Sequence, residues 1–117
     1  MANELTLGIN FAFVKGGIDH RFNESFNADV SGNAYIDNVQ EIDTSEEAVQ
    51  LGDIATPGFV FVHNLDSTNY VEIGAAAAEY CIKLGPGQRA LFPLNGTTLF
   101  AKANTAACNV RFLTVST

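Results

Sequence analysis

The side chains of this sequence best suited to acid–base, nucleophilic or metal chemistry are two histidines and two cysteines: His20, His63, Cys81 and Cys108. Their spacing argues against each use. Neither histidine has a second His, Cys or carboxylate at the spacing by which proteins hold zinc. His63 and Cys81 would need a third, orienting group to work as base and nucleophile, and no motif supplies one. His20 continues an apolar series along a strand, which reads as a packed or interfacial histidine. Cys81 and Cys108 each sit in an apolar, strand-like run and read as small buried hydrophobes. Two cysteines are too few for a disulfide scaffold.

Two loops remain. Gly85-Pro86-Gly87 lacks the Lys and the Ser/Thr that cradle a phosphate, so it reads as a turn. Asn64-x-Asp66-x-x-Asn69 offers oxygens that either hold a calcium ion weakly or cap their own turn, and the turn is the simpler use. The sequence has no nucleophile elbow and no dinucleotide fingerprint. These readings lead us to expect a protein that is not an enzyme, with no catalytic residue, no cofactor and no metal.

Charge gives the next constraint. The net charge is −7, and charged residues make up only 16% of the chain against 47% hydrophobic. The usual charged share is about 25%, so less of the surface than normal is expected to be ionic, and the large apolar area either hides in a thick core or lies under a partner. Between Asp19 and Asp53 nine acids (Asp19, Glu24, Asp29, Asp37, Glu41, Asp43, Glu46, Glu47, Asp53) face the single base Arg21. Such a span repels phosphate, which argues against nucleic acid as a partner. It reads as a solvated face, with a basic partner or a cation as the sharper alternatives, and Asp37 to Asp53 is expected to stay solvent-facing. No run approaches the ~20 apolar residues of a membrane span, and Met-Ala-Asn-Glu-Leu has no signal character. A soluble chain made in a cytoplasm is expected.

The elements that would position these groups are strands. Leu5, Leu7, Ile9, Phe11 and Phe13 alternate with smaller or polar residues, the period of a strand with one apolar face. Gly16-Gly17 suits a tight hairpin turn, after which Ile18, His20, Phe22, Phe26, Ala28 and Val30 resume the alternation. Glu24 interrupts that series and is expected to mark a bulge. Ser31-Gly-Asn33 predicts a second turn and Tyr35 to Ile42 a third strand. Thr44-Ser-Glu-Glu47 resembles a helix cap, but Gly52 follows too soon for a helix, so a turn and a short strand over 48–51 are expected. Phe59, Val60, Phe61 and Val62 are apolar on both faces and predict a central core strand. Pro86-Gly87 predicts a type II turn, Pro93 a sheet edge, and Asn95-Gly96 a hairpin. Nine or ten short strands follow, hence an all-β antiparallel sandwich of jelly-roll type, with residues 1–117 forming a single domain that opens with a long hairpin over 1–30.

The runs Gly52-Asp-Ile-Ala-Thr-Pro-Gly58, Gly58-Phe-Val-Phe-Val-His-Asn-Leu-Asp-Ser-Thr-Asn-Tyr-Val-Glu-Ile-Gly74, Leu84-Gly-Pro-Gly-Gln-Arg-Ala-Leu-Phe-Pro-Leu94 and Leu99-Phe-Ala-Lys-Ala-Asn-Thr-Ala-Ala107 resemble a module of small virion structural proteins of tailed bacteriophages. The resemblance covers roughly 45–115. It implies a structural part of the particle, made in the host bacterial cytoplasm and lodged on the capsid surface as a head decoration (cement) protein. Its partners would be the major capsid protein and further copies of itself, a trimer by analogy rather than a dimer, with neither nucleic acid nor membrane bound. A tail- or fibre-associated sandwich that binds a receptor or carbohydrate is the alternative, for which Tyr35, Tyr70 and Tyr80 are the candidate aromatics. The surface expected to meet a partner is the first hairpin around Phe11, Phe13 and Phe22.

Overall fold

The computed structural model describes residues 4–30, 34–52, 54 and 56–116. The Ser31-Gly-Asn33 turn, Asp53 and the first three residues of the N-terminal segment lie outside them. The described residues form ten strands and no helix, and all pairings between these strands are antiparallel. Among the described residues no helix is long and apolar enough to cross a membrane.

Two compact units result, Met1–Ser31 with Thr117, and Gly32–Ser116. This departs from the single sandwich expected over 1–117. In the first unit β1 (Leu5–Lys15) pairs with β2 (Ile18–Ala28) and with no other strand. Gly16 and Gly17 adopt φ of 60° and 84°, the left-handed pair that matches the strand twist of a two-residue hairpin. Register runs unbroken from Leu5↔Ala28 to Lys15↔Ile18, with Glu24 opposite Ile9. The bulge expected at Glu24 does not form: the carboxylate simply takes its turn in the alternation.

The second unit contains β3 (Tyr35–Ile42), β4 (Glu47–Ala48), β5 (Pro57–Asn64), β6 (Val71–Gly74), β7 (Ile82–Leu84), β8 (Arg89–Pro93), β9 (Phe100–Ala103) and β10 (Cys108–Ser116). One four-stranded sheet has the order β3-β10-β5-β8 and the other β4-β9-β6-β7. The pairings nest. β3 pairs with β10, β4 with β9, β5 with β8 and β6 with β7, so eight strands fold back on themselves as one long double strand. Two further pairings, β10 with β5 and β6 with β9, roll that double strand into its two sheets.

Both sheets contribute to one core. Ile42, Val60, Val62, Val110 and Phe112 from the first meet Val71, Ile73, Leu84, Ala101 and Ala103 from the second, all buried. Within Phe59–Val62 the valines are the core-facing pair, at 0% exposure, and the two phenylalanines are half-buried on the opposite face. β5 is central as expected, and the core aromatic is Phe112. Cys108 is buried there too. Cys81 is exposed, contrary to expectation. It falls one residue ahead of β7, so no strand register turns it inward.

Turn chemistry explains the other differences. Pro86-Gly87 makes the predicted turn, with Gly87 at φ 74° and the Gln88 amide donating to the Gly85 carbonyl at 3.1 Å. Pro93 ends an edge strand, as a residue without an amide donor requires. Asn95-Gly96 does not make a hairpin, because β8 and β9 belong to different sheets; the turn residues serve a corner between sheets. Around Thr44–Glu47 the capping groups act without a helix. The Glu47 carboxylate accepts the Asp43 amide at 2.8 Å, and Asp43 accepts the Thr44 amide at 2.8 Å. The strand that follows is only Glu47–Ala48. The Gln40 amide clamps it, donating to Glu47 and to the Ala48 carbonyl and accepting from the Gln50 amide.

Candidate interaction surfaces

Alternation places Leu5, Leu7, Ile9, Phe11, Phe13 and Lys15 of β1 on the same face as Ile18, His20, Phe22, Glu24, Phe26 and Ala28 of β2. Thr6, Asn10, Asn23, Ser25 and Asn27 mark the other face as polar. Leu7 is buried, but beyond it the apolar face is open. Phe11, Phe13 and Phe22 remain 46%, 44% and 39% exposed, and Ile9 and Ile18 about half. Phe11 and Phe22 are directly opposite and stack with ring centroids 5.0 Å apart, while His20 sets its edge against both. These contacts organise the aromatic cluster without hiding it. Soluble chains rarely leave so much contiguous apolar surface uncovered unless a partner meets it.

A second open face lies on the outside of the β3-β10-β5-β8 sheet. Register aligns three rows across it: Tyr35, Val115, Phe59, Pro93; then Asp37, Leu113, Phe61, Leu91; then Val39, Arg111, His63, Arg89. Tyr35, Val39 and Leu91 are exposed here. Arg111 binds the Asp37 carboxylate through two nitrogens, at 2.9 and 2.7 Å, and its guanidinium sits 5.8 Å from the Phe61 ring centroid. The hydrogen bond from Arg111 holds the Asp37 carboxyl below its ordinary range. His63 titrates below its usual value, first because burial disfavours the charged ring and then because Arg89 and Arg111 repel it. In a chain of net charge −7 this row is a local basic stripe beside apolar residues.

The loop over 64–69 is a capped turn. Asn64 is fully buried; its amide donates to the Asn69, Leu84 and Gly85 carbonyls, and its side-chain oxygen accepts the Asp66 amide at 3.0 Å. Asp66 accepts the Thr68 and Asn69 amides at 2.9 and 2.6 Å, and these bonds keep its carboxyl acidic. Asn69 accepts the Thr105 hydroxyl at 2.6 Å. Asn64 Oδ1 and Asp66 Oδ2 thus hold the backbone of the turn, while Asn69 Oδ1 ties it to Thr105. Among the described residues no group of three or more His, Cys, Asp or Glu side chains is placed to hold a metal.

The remaining candidates lie on different elements or are already bonded. His20 lies in the hairpin, His63 on β5, and Cys81 ahead of β7 in the other sheet, so the structure does not assemble them on one element. Cys81 lines a cleft of about 420 Å³ with Ile82, Phe92, Leu94, Asn95 and Leu99. Glu46 accepts both the Ala78 amide and the Tyr80 hydroxyl, which holds Ala78 at φ 61° and pushes the Tyr80 phenol up to about 12. Tyr70 packs under the Lys83 ammonium, 4.3 Å from its ring centroid. Within the acidic span, Asp37, Glu41, Asp43 and Glu46 are exposed and Glu47 is half-buried.

Sequence reasoning singled out the hairpin face because its apolar alternation runs nearly unbroken along each strand. For the outer sheet face the sequence offered only the apolar residues on both faces of Phe59–Val62 and Asn109–Val115, because the rest are scattered over 35–115 and become neighbours only through register. No family model, curated protein or solved structure matches this chain.

Proposed function

We propose that this chain is a non-enzymatic virion structural protein of a tailed bacteriophage, a capsid decoration protein that binds the head shell and stabilises it. The observation that carries the proposal is the open apolar face of the hairpin, in a protein whose second unit already has a complete core of its own. A surface of that kind is suited to contact with other protein, here the major capsid protein and further copies of the chain. We also infer that the eight strands β3 to β10 form a jelly-roll sandwich. The nested pairing supports this, because rolling a long antiparallel double strand is what generates that architecture, one used by capsid and lectin domains alike. The resemblance of residues 45–115 to phage virion modules supports the same reading.

A tail- or fibre-associated sandwich that binds a receptor or carbohydrate is the second reading. Exposed Tyr35, on the outer sheet face beside the Arg111–Asp37 pair, favours it. Tyr70 and Tyr80 favour it less, since Lys83 and Glu46 already engage them. Copy number separates the two. On a stained gel of purified virions the decoration reading expects a band at 12.5 kDa comparable in molar amount with the major capsid protein. A few copies per particle would overturn it in favour of the tail.

A further inference from the structure

We propose that the hairpin face is covered by the hairpin of a second copy, the two ribbons packed face to face and antiparallel about a twofold axis. The inference rests on the self-association read above and specifies its geometry.

Charge decides the geometry. The apolar face carries one carboxylate, Glu24 opposite Ile9, and one ammonium, Lys15 opposite Ile18. Both are exposed, and each would be costly to bury unpaired under any partner. Phe26, opposite buried Leu7, is itself 43% exposed, and the four rows in which both side chains are exposed follow it: Ile9:Glu24, Phe11:Phe22, Phe13:His20 and Lys15:Ile18. Their midpoint lies between the second and third. A twofold axis through that midpoint sets the first row of one copy on the fourth row of the other. Glu24 then lies over Ile18 and Lys15 over Ile9, so Glu24 of each copy meets Lys15 of its mate diagonally within the same pair of facing rows, twice, at the two ends of the interface. Between them the Phe11–Phe22 stack of one copy covers Phe13 and His20 of the other.

An in-register arrangement of three parallel hairpins around a threefold axis would instead gather three Glu24 carboxylates at one level. Like charges so placed oppose association. The area is adequate for the pair. Five large apolar side chains per copy, roughly half open, hide on the order of 1,000 Å² across the two copies, about where specific interfaces begin. Isologous contact between identical patches is also the commonest way for a soluble chain to pair.

The test is sedimentation velocity of the full chain over a concentration series. The unaltered chain is expected to dimerise. Lys15→Glu and Glu24→Lys, made singly, should each weaken the dimer at least ~10-fold, because each puts like charges at both ends of the interface. The double reversal Lys15→Glu/Glu24→Lys should restore it to within about threefold, since the pair is re-formed with its signs exchanged. Phe11→Asp should give a monomer with an unchanged far-ultraviolet spectrum. A monomer at every concentration would overturn this geometry and self-association together. A trimer, a dimer insensitive to the single reversals, or a double reversal no better than the singles would overturn the antiparallel pairing while leaving self-association standing.

Discussion

The first strand of the hairpin and β10 each carry a distinct apolar series and have opposite fates. From Leu5 to Phe13 apolar residues alternate with small or polar ones, and most residues of β1 remain exposed. In Cys108 to Ser116 every second residue is buried, Cys108, Val110 and Phe112 followed by the polar Thr114 and Ser116. Alternation assigns side chains to faces, because successive side chains of a strand point to opposite sides. It does not say whether a second layer covers either face. β10 has β3 and β5 as neighbours and a second sheet contributing to its core. β1 has β2 alone. The hairpin is therefore a surface in waiting and the eight-stranded unit a finished core, and substitutions should separate the two.

The largest separation is expected between two phenylalanines. Phe112 is fully buried in the shared core, so Phe112→Ala should cost the second unit ~3–5 kcal/mol in urea unfolding, as deletion of a buried aromatic does. Phe11→Ala should change monomer stability by under about 1 kcal/mol, since its ring is nearly half exposed. Equal losses at both positions would mean that the hairpin face is covered within the monomer, and the comparison would fail.

A smaller separation is expected between two glycines. A Cβ added at Gly74 would lie 1.9 Å from the Glu79 carbonyl oxygen and 3.0 Å from the Tyr80 Cα. Both are backbone atoms, so the 74–80 loop must move, and Gly74→Ala should cost ~1–3 kcal/mol, the scale of overpacking. At Gly8 the nearest atom is the Glu24 carbonyl oxygen at 3.9 Å, an ordinary contact. Gly8→Ala should be neutral or stabilise by a few tenths of a kcal/mol by narrowing the unfolded ensemble. Thermal midpoints of the two variants check both signs.

These contrasts show where the sequence was readable. Gly16-Gly17, Pro86-Gly87 and Pro93 were legible because each encodes a local backbone constraint. Strand existence was legible from period two, and the centrality of β5 from a run apolar on both faces. What the sequence hides is which strand neighbours which. Asn95-Gly96 has the chemistry of a hairpin and turns a corner between sheets instead. Cys81 stands in an apolar run but one residue short of its strand. Glu24 breaks an apolar series without breaking register. In each case the deciding fact is a partner far away in the chain, and local residue type does not carry it. The same holds for the candidate surfaces: the hairpin face is continuous in sequence and was found, while the row Val39, Arg111, His63, Arg89 is drawn from four separate strands.

The smallest effect expected belongs to that row. His63 is half-buried and flanked by Arg111 on β10 and Arg89 on β8, and both conditions disfavour its protonated form. Its value in the folded chain is therefore below the ordinary 6.5, and the unfolded chain binds the proton more readily. A base with a depressed folded value contributes stability that is present above pH 6.5 and is lost as the pH falls toward the lowered folded value. Urea midpoints should accordingly slope gently downward on acidification from pH 7.5 to pH 5.5. Asp37, which Arg111 holds below the usual carboxylate range, should remain ionised throughout that window and add no slope of its own. In His63→Gln, which keeps a polar side chain without a titrating ring, the slope assigned to His63 should vanish while the midpoint at pH 7.5 stays close to that of the unaltered chain. An unchanged slope in that variant would show that the outer sheet face does not crowd His63 enough to matter, and that this face is as loosely held as the hairpin.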